Sequence, residues 1–272
     1  MSVDPFRASS ERSVRWSVLA LPVAGGEPLE SLDPDVRLPS ASTAKVLALL
    51  AAADGIERGD LDPGELLDRR EAAPVHDSGI WQHLSVERLT LDDTVRLVGL
   101  MSDNLATNVL LSRLGGVDRV RETAARFGVE SVDLHDIVRD ERTAVHPPTL
   151  SSGSARGYAE LFARIRTADG IPHAVAERVR AWLAGGADLS MVGAAFGLDP
   201  LAHVTPDRGF ALTHKTGTDA GVRVDAGVVE GPSGMLAYAC LAQWTPDGAD
   251  STRDAVLDAM RAFGLRLRAA VG

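Results

Sequence analysis

Lys45 and Lys215 are the only lysines in a chain whose other 26 basic residues are arginine, and each lies in a short run of hydroxyl-bearing residues. The distinction is chemical: a guanidinium stays protonated in a protein, whereas a desolvated ammonium can lose its proton and act as a base. Lys45 ends Ser42-Thr43-Ala44-Lys45, and Lys215 begins Lys215-Thr216-Gly217-Thr218. A serine three residues before a lysine on one helix places both side chains on one face, a turn apart. That spacing suits Lys45 to take the proton from Ser42, provided burial and nearby positive charge keep the amine neutral. At the start of a helix, the Ser42 backbone N–H would also face any anion forming beside the serine.

A third run, Ser102-Asp103-Asn104, contains one of only two asparagines, the other being Asn108. Its chemistry would be a second hydroxyl relaying a proton toward a leaving nitrogen, and a carboxamide that binds a substrate amide and holds Lys45. In Lys215-Thr216-Gly217, the glycine would let a substrate approach the backbone closely, and Lys215 and Thr216 would hold a carboxylate. The Thr218 N–H would complete an oxyanion hole with that of Ser42. Each run also has a plainer reading. Asp103 or Ser102 could simply cap a helix, and 210–218 could be a strand ending in a turn.

The elements that must position these groups can be read from periodicity. Residues 14–24 are strand-like and Gly25-Gly26-Glu27-Pro28 is a turn, followed by an extended segment to Leu38. From Ser42 to about Asp54 the pattern is a largely buried helix, capped by Ser40 or Ser42. Helical patterns follow at 91–101, 104–114, 117–127, 154–166 and 173–184. Strand character returns at 209–216, 222–230 and 234–244, with Gly231-Pro232-Ser233-Gly234 as a hairpin turn, and 251–269 is a closing amphipathic helix. The order predicts an α+β fold. A sheet from 1–39 and 193–272 packs with helices, and an all-α domain at 40–192 is inserted.

At 272 residues, with 45% apolar and 24% charged residues, the chain has ample core and ordinary globular composition. A net charge of −10 without basic runs argues against nucleic acid or an anionic membrane as partner. Cys240 sits in an apolar run as a small hydrophobe, and with one cysteine no intrachain disulfide forms. The apolar stretch 17–24 is too short to span a membrane, so the expected location is cytoplasmic, or exported if a leader was removed. His83, His173 and His203 lack metal-ligand spacing, so neither metal nor cofactor is expected. The expected partner is a small-molecule substrate, taken by a monomer.

Taken in order, S-x-x-K, S-D-N and K-T-G resemble the penicillin-recognising serine hydrolases, most closely class A β-lactamases. Supporting features are His76-Asp77-Ser78-Gly79-Ile80, Gly115-Gly116 and His214. The resemblance implies the β-lactamase/transpeptidase-like fold, with Ser42 as nucleophile, Lys45 for proton transfer, Ser102 as relay and Asn104 as a substrate-binding group. It also implies that Lys215 and Thr216 bind a carboxylate, beside Gly217 and Thr218, with Arg223 replacing a strand arginine. In that family a loop Glu-x-x-Leu-Asn supplies the base for deacylation, and the segment 134–148 here lacks it. Glu141 is the nearest candidate, with Asp136, Asp140 and His146 behind it, though Glu141 also suits a solvated ion pair. The implied activity is acyl-enzyme formation on a β-lactam or similar amide or ester. A D-Ala peptidase or esterase with little β-lactam turnover, a sensor that stays acylated, and a serine glutaminase remain alternatives.

Overall fold

A computed structural model describes residues 5–6, 13–246 and 250–272. In chain order the strands are β1 (Arg15–Pro22), β2 (Glu30–Leu32), β3 (Leu38–Pro39), β4 (Leu66–Asp68), β5 (Arg88–Thr90), β6 (Val132–Leu134), β7 (Ser151–Gly153), β8 (Ala211–Asp219), β9 (Val222–Gly231) and β10 (Gly234–Gln243). The α-helices are α1 (Lys45–Glu57), α2 (Leu91–Met101), α3 (Asn104–Leu114), α4 (Val117–Arg126), α5 (Ala155–Thr167), α6 (His173–Leu183) and α7 (Asp250–Val271).

The main sheet is antiparallel, in the order β2-β1-β10-β9-β8. Its two faces follow from the period of two along each strand. On β10, Ala237, Ala239 and Leu241 join one core cluster with the helical block, while Leu236, Tyr238, Cys240 and Ala242 join the other against α7. Every inward position is therefore apolar on both faces, so β10 reads as a continuous hydrophobic run rather than an alternating one.

At the centre of the helical block, α1 is covered on all sides: Lys45 through Gly55 are all buried, and it packs against α2, α3, α4 and α6. A helix apolar all round belongs inside. Its entry differs from the expectation of one regular helix from Ser42. Ala41–Ala44 form a 3₁₀ turn, and the α-helix starts at Lys45. Ala41 enters at φ +46°. Ser40 makes no capping bond, because its hydroxyl is engaged by Tyr158 at 2.6 Å and lies 2.8 Å from the Ser151 hydroxyl.

Short pieces join the block to the sheet. β3, β7 and β6 form a three-stranded sheet and β4 pairs with β5. Segments of two or three residues carry no periodicity of their own, and among these joining pieces only β3 touches the end of the stretch read as extended.

Candidate active site

Ser42 lies in the 3₁₀ turn, half-buried, on the wall of a cleft of about 830 Å³. One turn on, Lys45 is completely buried, and its Nζ donates to the Ser102 carbonyl at 2.6 Å and to Asn104 Oδ1 at 2.7 Å. Burial pushes this ammonium well below the ordinary lysine range, and the charge of Lys215 pushes it further; Asp103 and Asp77 oppose the shift. An amine lowered in this way, one turn from a serine, is suited to accept that serine's proton.

Backbone geometry at the α2–α3 junction sets the anchors of Lys45. Ser102 sits at φ +55°, in the left-handed region that ends α2, which turns its carbonyl toward the lysine. Asp103 is buried and caps α3 through the Ala106 N–H, while its other oxygen accepts from the N–H groups of Ile80 and Trp81. It is thus a structural clamp as well as a cap. Gly79, at φ +115°, passes so close that a Cβ there would lie 2.7 Å from the Asp103 Cα, so only glycine fits.

The opposite wall is β8. Gly217 presses its backbone onto the entry turn of α1: a Cβ at this position would meet the Ser40 carbonyl at 2.3 Å and Thr43 Oγ1 at 2.5 Å. Close approach brings the β8 backbone beside Ser42. Thr218 is exposed and lines the cleft, as do Lys215 and Thr216. Lys215 is buried, donates from Nζ to the Thr216 carbonyl at 2.9 Å, and is lowered to about 8 by burial, against the pull of Asp188 and Asp225.

Behind Lys215 lies a polar cluster that periodicity did not reveal. Asp225, fully buried, accepts from His214 Nδ1 at 2.8 Å, from the Tyr238 hydroxyl at 2.9 Å and from the Gly193 N–H at 3.2 Å. Asp188 lines the cleft. Burial works to raise its carboxyl, and the hydrogen bonds from Ser190 and Thr216, with the charge of His214, hold it below the usual carboxylate range. The only sequence sign of Asp225 was an acid inside the apolar strand Val222-Arg223-Val224-Asp225-Ala226.

Two expected residues lie elsewhere. Glu141 is exposed and is not on the cleft wall. Its loop is turned by Asp136, which binds Arg139 and Arg142 and so fixes which side chains face inward. Those on the cleft are Val138, Arg139, Asp140 and Arg142. Arg223 also misses the cleft. Its guanidinium donates to the carbonyls of Asp219 and Val222 and lies 5.9 Å from the Trp244 ring. His146 engages Thr143 in the same exposed stretch.

Asn108, one turn after Asn104, holds the loop in place. Its Nδ2 donates to the carbonyls of Ala73 and Val138, and its Oδ1 accepts from the Val138 N–H. The residue thereby fixed over the cleft is Val138, which has no proton to exchange. Rarity was the available signal, since Asn108 is the second of two asparagines.

Comparison with known proteins places this arrangement. The profile described as the β-lactamase enzyme family matches residues 6–261. Among curated proteins, β-lactamase CARB-4 of Pseudomonas aeruginosa is 29% identical over 101 residues, 37% of this chain and 35% of that protein. β-Lactamase PSE-4 of the same organism is 28% identical over 128 residues, 47% of this chain and 44% of that protein. The chain thus aligns with less than half the length of these curated relatives. Among solved structures, a β-lactamase from Sphaerobacter thermophilus superposes with TM-score 0.78 at 24% identity, covering 95% of this chain and 93% of that one. A variant of PBP-A, solved as an acyl-enzyme complex with penicillin G, gives 0.78 at 20% identity, covering 97% and 95%. Both share the fold.

Proposed function

We propose, from the premise that this chain belongs to the β-lactamase enzyme family, that it is a serine hydrolase forming an acyl-enzyme at Ser42 on a β-lactam or a similar small amide or ester. The observation that carries the reading is the buried Lys45, held between the Ser102 carbonyl and Asn104 Oδ1 one turn from Ser42.

In the proposed reaction, Ser42 Oγ attacks the substrate carbonyl and its proton passes to Lys45. The tetrahedral oxyanion is stabilised by the N–H groups of Ser42 and Thr218. The Ser102 hydroxyl relays a proton to the leaving nitrogen, and Asn104 binds the acyl amide. Lys215 and Thr216 hold a carboxylate on the leaving side. Arg223 has no part in this scheme, since it is not on the cleft wall and its guanidinium is committed to the Asp219 and Val222 carbonyls. No cofactor enters, and the substrate is a small molecule taken by a single chain.

Hydrolysis of the acyl-enzyme is the slow half. Val138 occupies the loop position fixed over the cleft, and Glu141 lies outside it. That favours a second reading within the same chemistry, a D-Ala peptidase or esterase that is acylated by penicillins and released slowly.

Intact-protein mass spectrometry with a penicillin and a cephalosporin, followed from minutes to hours beside Ser42→Ala, tests both readings. The expected result is a long-lived adduct absent from Ser42→Ala. Labelling that persists in Ser42→Ala refutes the nucleophile, and an adduct that vanishes as substrate is consumed refutes slow hydrolysis.

A further inference from the structure

Two loops that line the cleft from separate parts of the chain are joined across its rim. Asp140 Oδ1 accepts the His76 backbone N–H at 2.9 Å, and Asp140 Oδ2 meets His76 Nδ1 at 3.0 Å. One carboxylate thus grips one residue at two points, and the hydrogen bonds from His76 hold the Asp140 carboxyl below its usual range. The same two loops are tied again at the base of the wall, where Asn108 binds both Ala73 and Val138. Asn104 Nδ2 reaches the His76 carbonyl at 3.5 Å, and Asp136 braces Arg139 and Arg142 behind the loop. Bonds at base and rim turn two loops into one continuous wall.

The position of that wall decides what it can select. Lys215 and Thr216 line the cleft from β8, the side proposed for the leaving group, whereas Asn104, His76, Val138 and Asp140 line it from the α3 and loop side, tied together by the contacts just described. The second side is where an acyl side chain must lie once the carbonyl is between Ser42 and Thr218. We propose that the His76–Asp140 clasp closes this side and makes the enzyme selective for acyl groups with small side chains. This deepens the acyl-enzyme reading and rests on it. A branched or aromatic side chain would have to part the clasp, losing two hydrogen bonds that a small one leaves intact.

The test compares p-nitrophenyl acetate with p-nitrophenyl diphenylacetate, reading nitrophenol release and the mass of the Ser42 adduct, in the parent chain, Asp140→Ala, His76→Ala and Asp140→Asn. Asp140→Ala should raise the bulky-to-small ratio of acylation constants about fivefold or more, and His76→Ala should raise it in the same direction. Asp140→Asn keeps an acceptor for the His76 N–H and should stay closer to the parent than to Asp140→Ala. A ratio unmoved in folded Asp140→Ala and His76→Ala overturns the clasp, as does Asp140→Asn rising as far as Asp140→Ala. Absence of any Ser42 adduct in the parent overturns the acyl-enzyme reading, and the clasp with it. A parent adduct without a change in ratio overturns the clasp alone.

Discussion

Lys215 shows what the site costs the fold. An ammonium with ordinary value 10.5 is held at about 8 by burial, so below pH 8 it is protonated in both folded and unfolded chains and the whole desolvation penalty stands. Between pH 8 and 10.5 the unfolded chain binds the extra proton, and stability therefore rises with pH across that window. Above it the penalty is gone. Met has similar volume and no charge, so Lys215→Met should stabilise the chain at pH 7 by about 1–3 kcal/mol. Urea unfolding at pH 7 and at pH 10.5 checks this: the gain should shrink at the higher pH, and a variant equally destabilised at both values would contradict the assignment. Lys45 should not behave in the same way. Its Nζ satisfies the Ser102 carbonyl and Asn104 Oδ1, and removing it leaves two buried acceptors unpaired.

Among elements, the loop between β6 and β7 would decide the fate of the proposed acyl-enzyme. Asn108 fixes its backbone at Val138 through both N–H and carbonyl, and the Val138 side chain is on the cleft wall. A carboxylate delivered from that backbone would face the ester formed at Ser42. Val138→Glu should therefore shorten the lifetime of the penicillin adduct about a hundredfold, the lower end of the range for a positioned general base. It should also cost about 1–3 kcal/mol, because Val138 belongs to the core cluster. Decay of the adduct by intact mass, with Tm recorded alongside, measures both, and an unchanged lifetime in a folded variant would show that water cannot reach the ester from this side. The sequence could locate the missing acid but not its replacement. Segment 134–148 visibly lacked Glu-x-x-Leu-Asn, whereas the pairing of Asn108 with Val138 spans 30 residues and depends on how α3 and the loop meet. Arg223 was misread for a related reason. The family resemblance offered it as the replacement for a strand arginine, but Thr218 is its cross-strand neighbour, and its guanidinium lies with Trp244 and the Asp219 carbonyl.

For the molecule as a whole, regular periodicity foretold the long elements and their order. α2 and α3 fall on the ranges read from apolar spacing, and β9 and β10 differ by a residue at one end. The 3₁₀ entry to α1 was not legible, and the backbone it packs against, at Gly217, comes from a strand about 175 residues later in the chain. The buried cluster of Asp225, His214 and Tyr238 was hidden as well, since it forms only when β8, β9 and β10 are in register. This dependence of the site on distant segments bears on how the chain unfolds. Ser42 and Lys45 come from the start of the helical block and Lys215 from the sheet, and one core cluster runs from Leu110 and Val120 in the helices to Val224 and Leu241 in the strands. A division at residues 39/40 and 192/193 would cut through that cluster, exposing the helix-facing side of the sheet and leaving the helical block without its cover. The chain should unfold in one calorimetric transition, with van't Hoff and calorimetric enthalpies agreeing. Two resolved transitions, with loss of Ser42 labelling tracking only the first, would mean that the helical block melts independently and that the cleft is a contact between two stable domains.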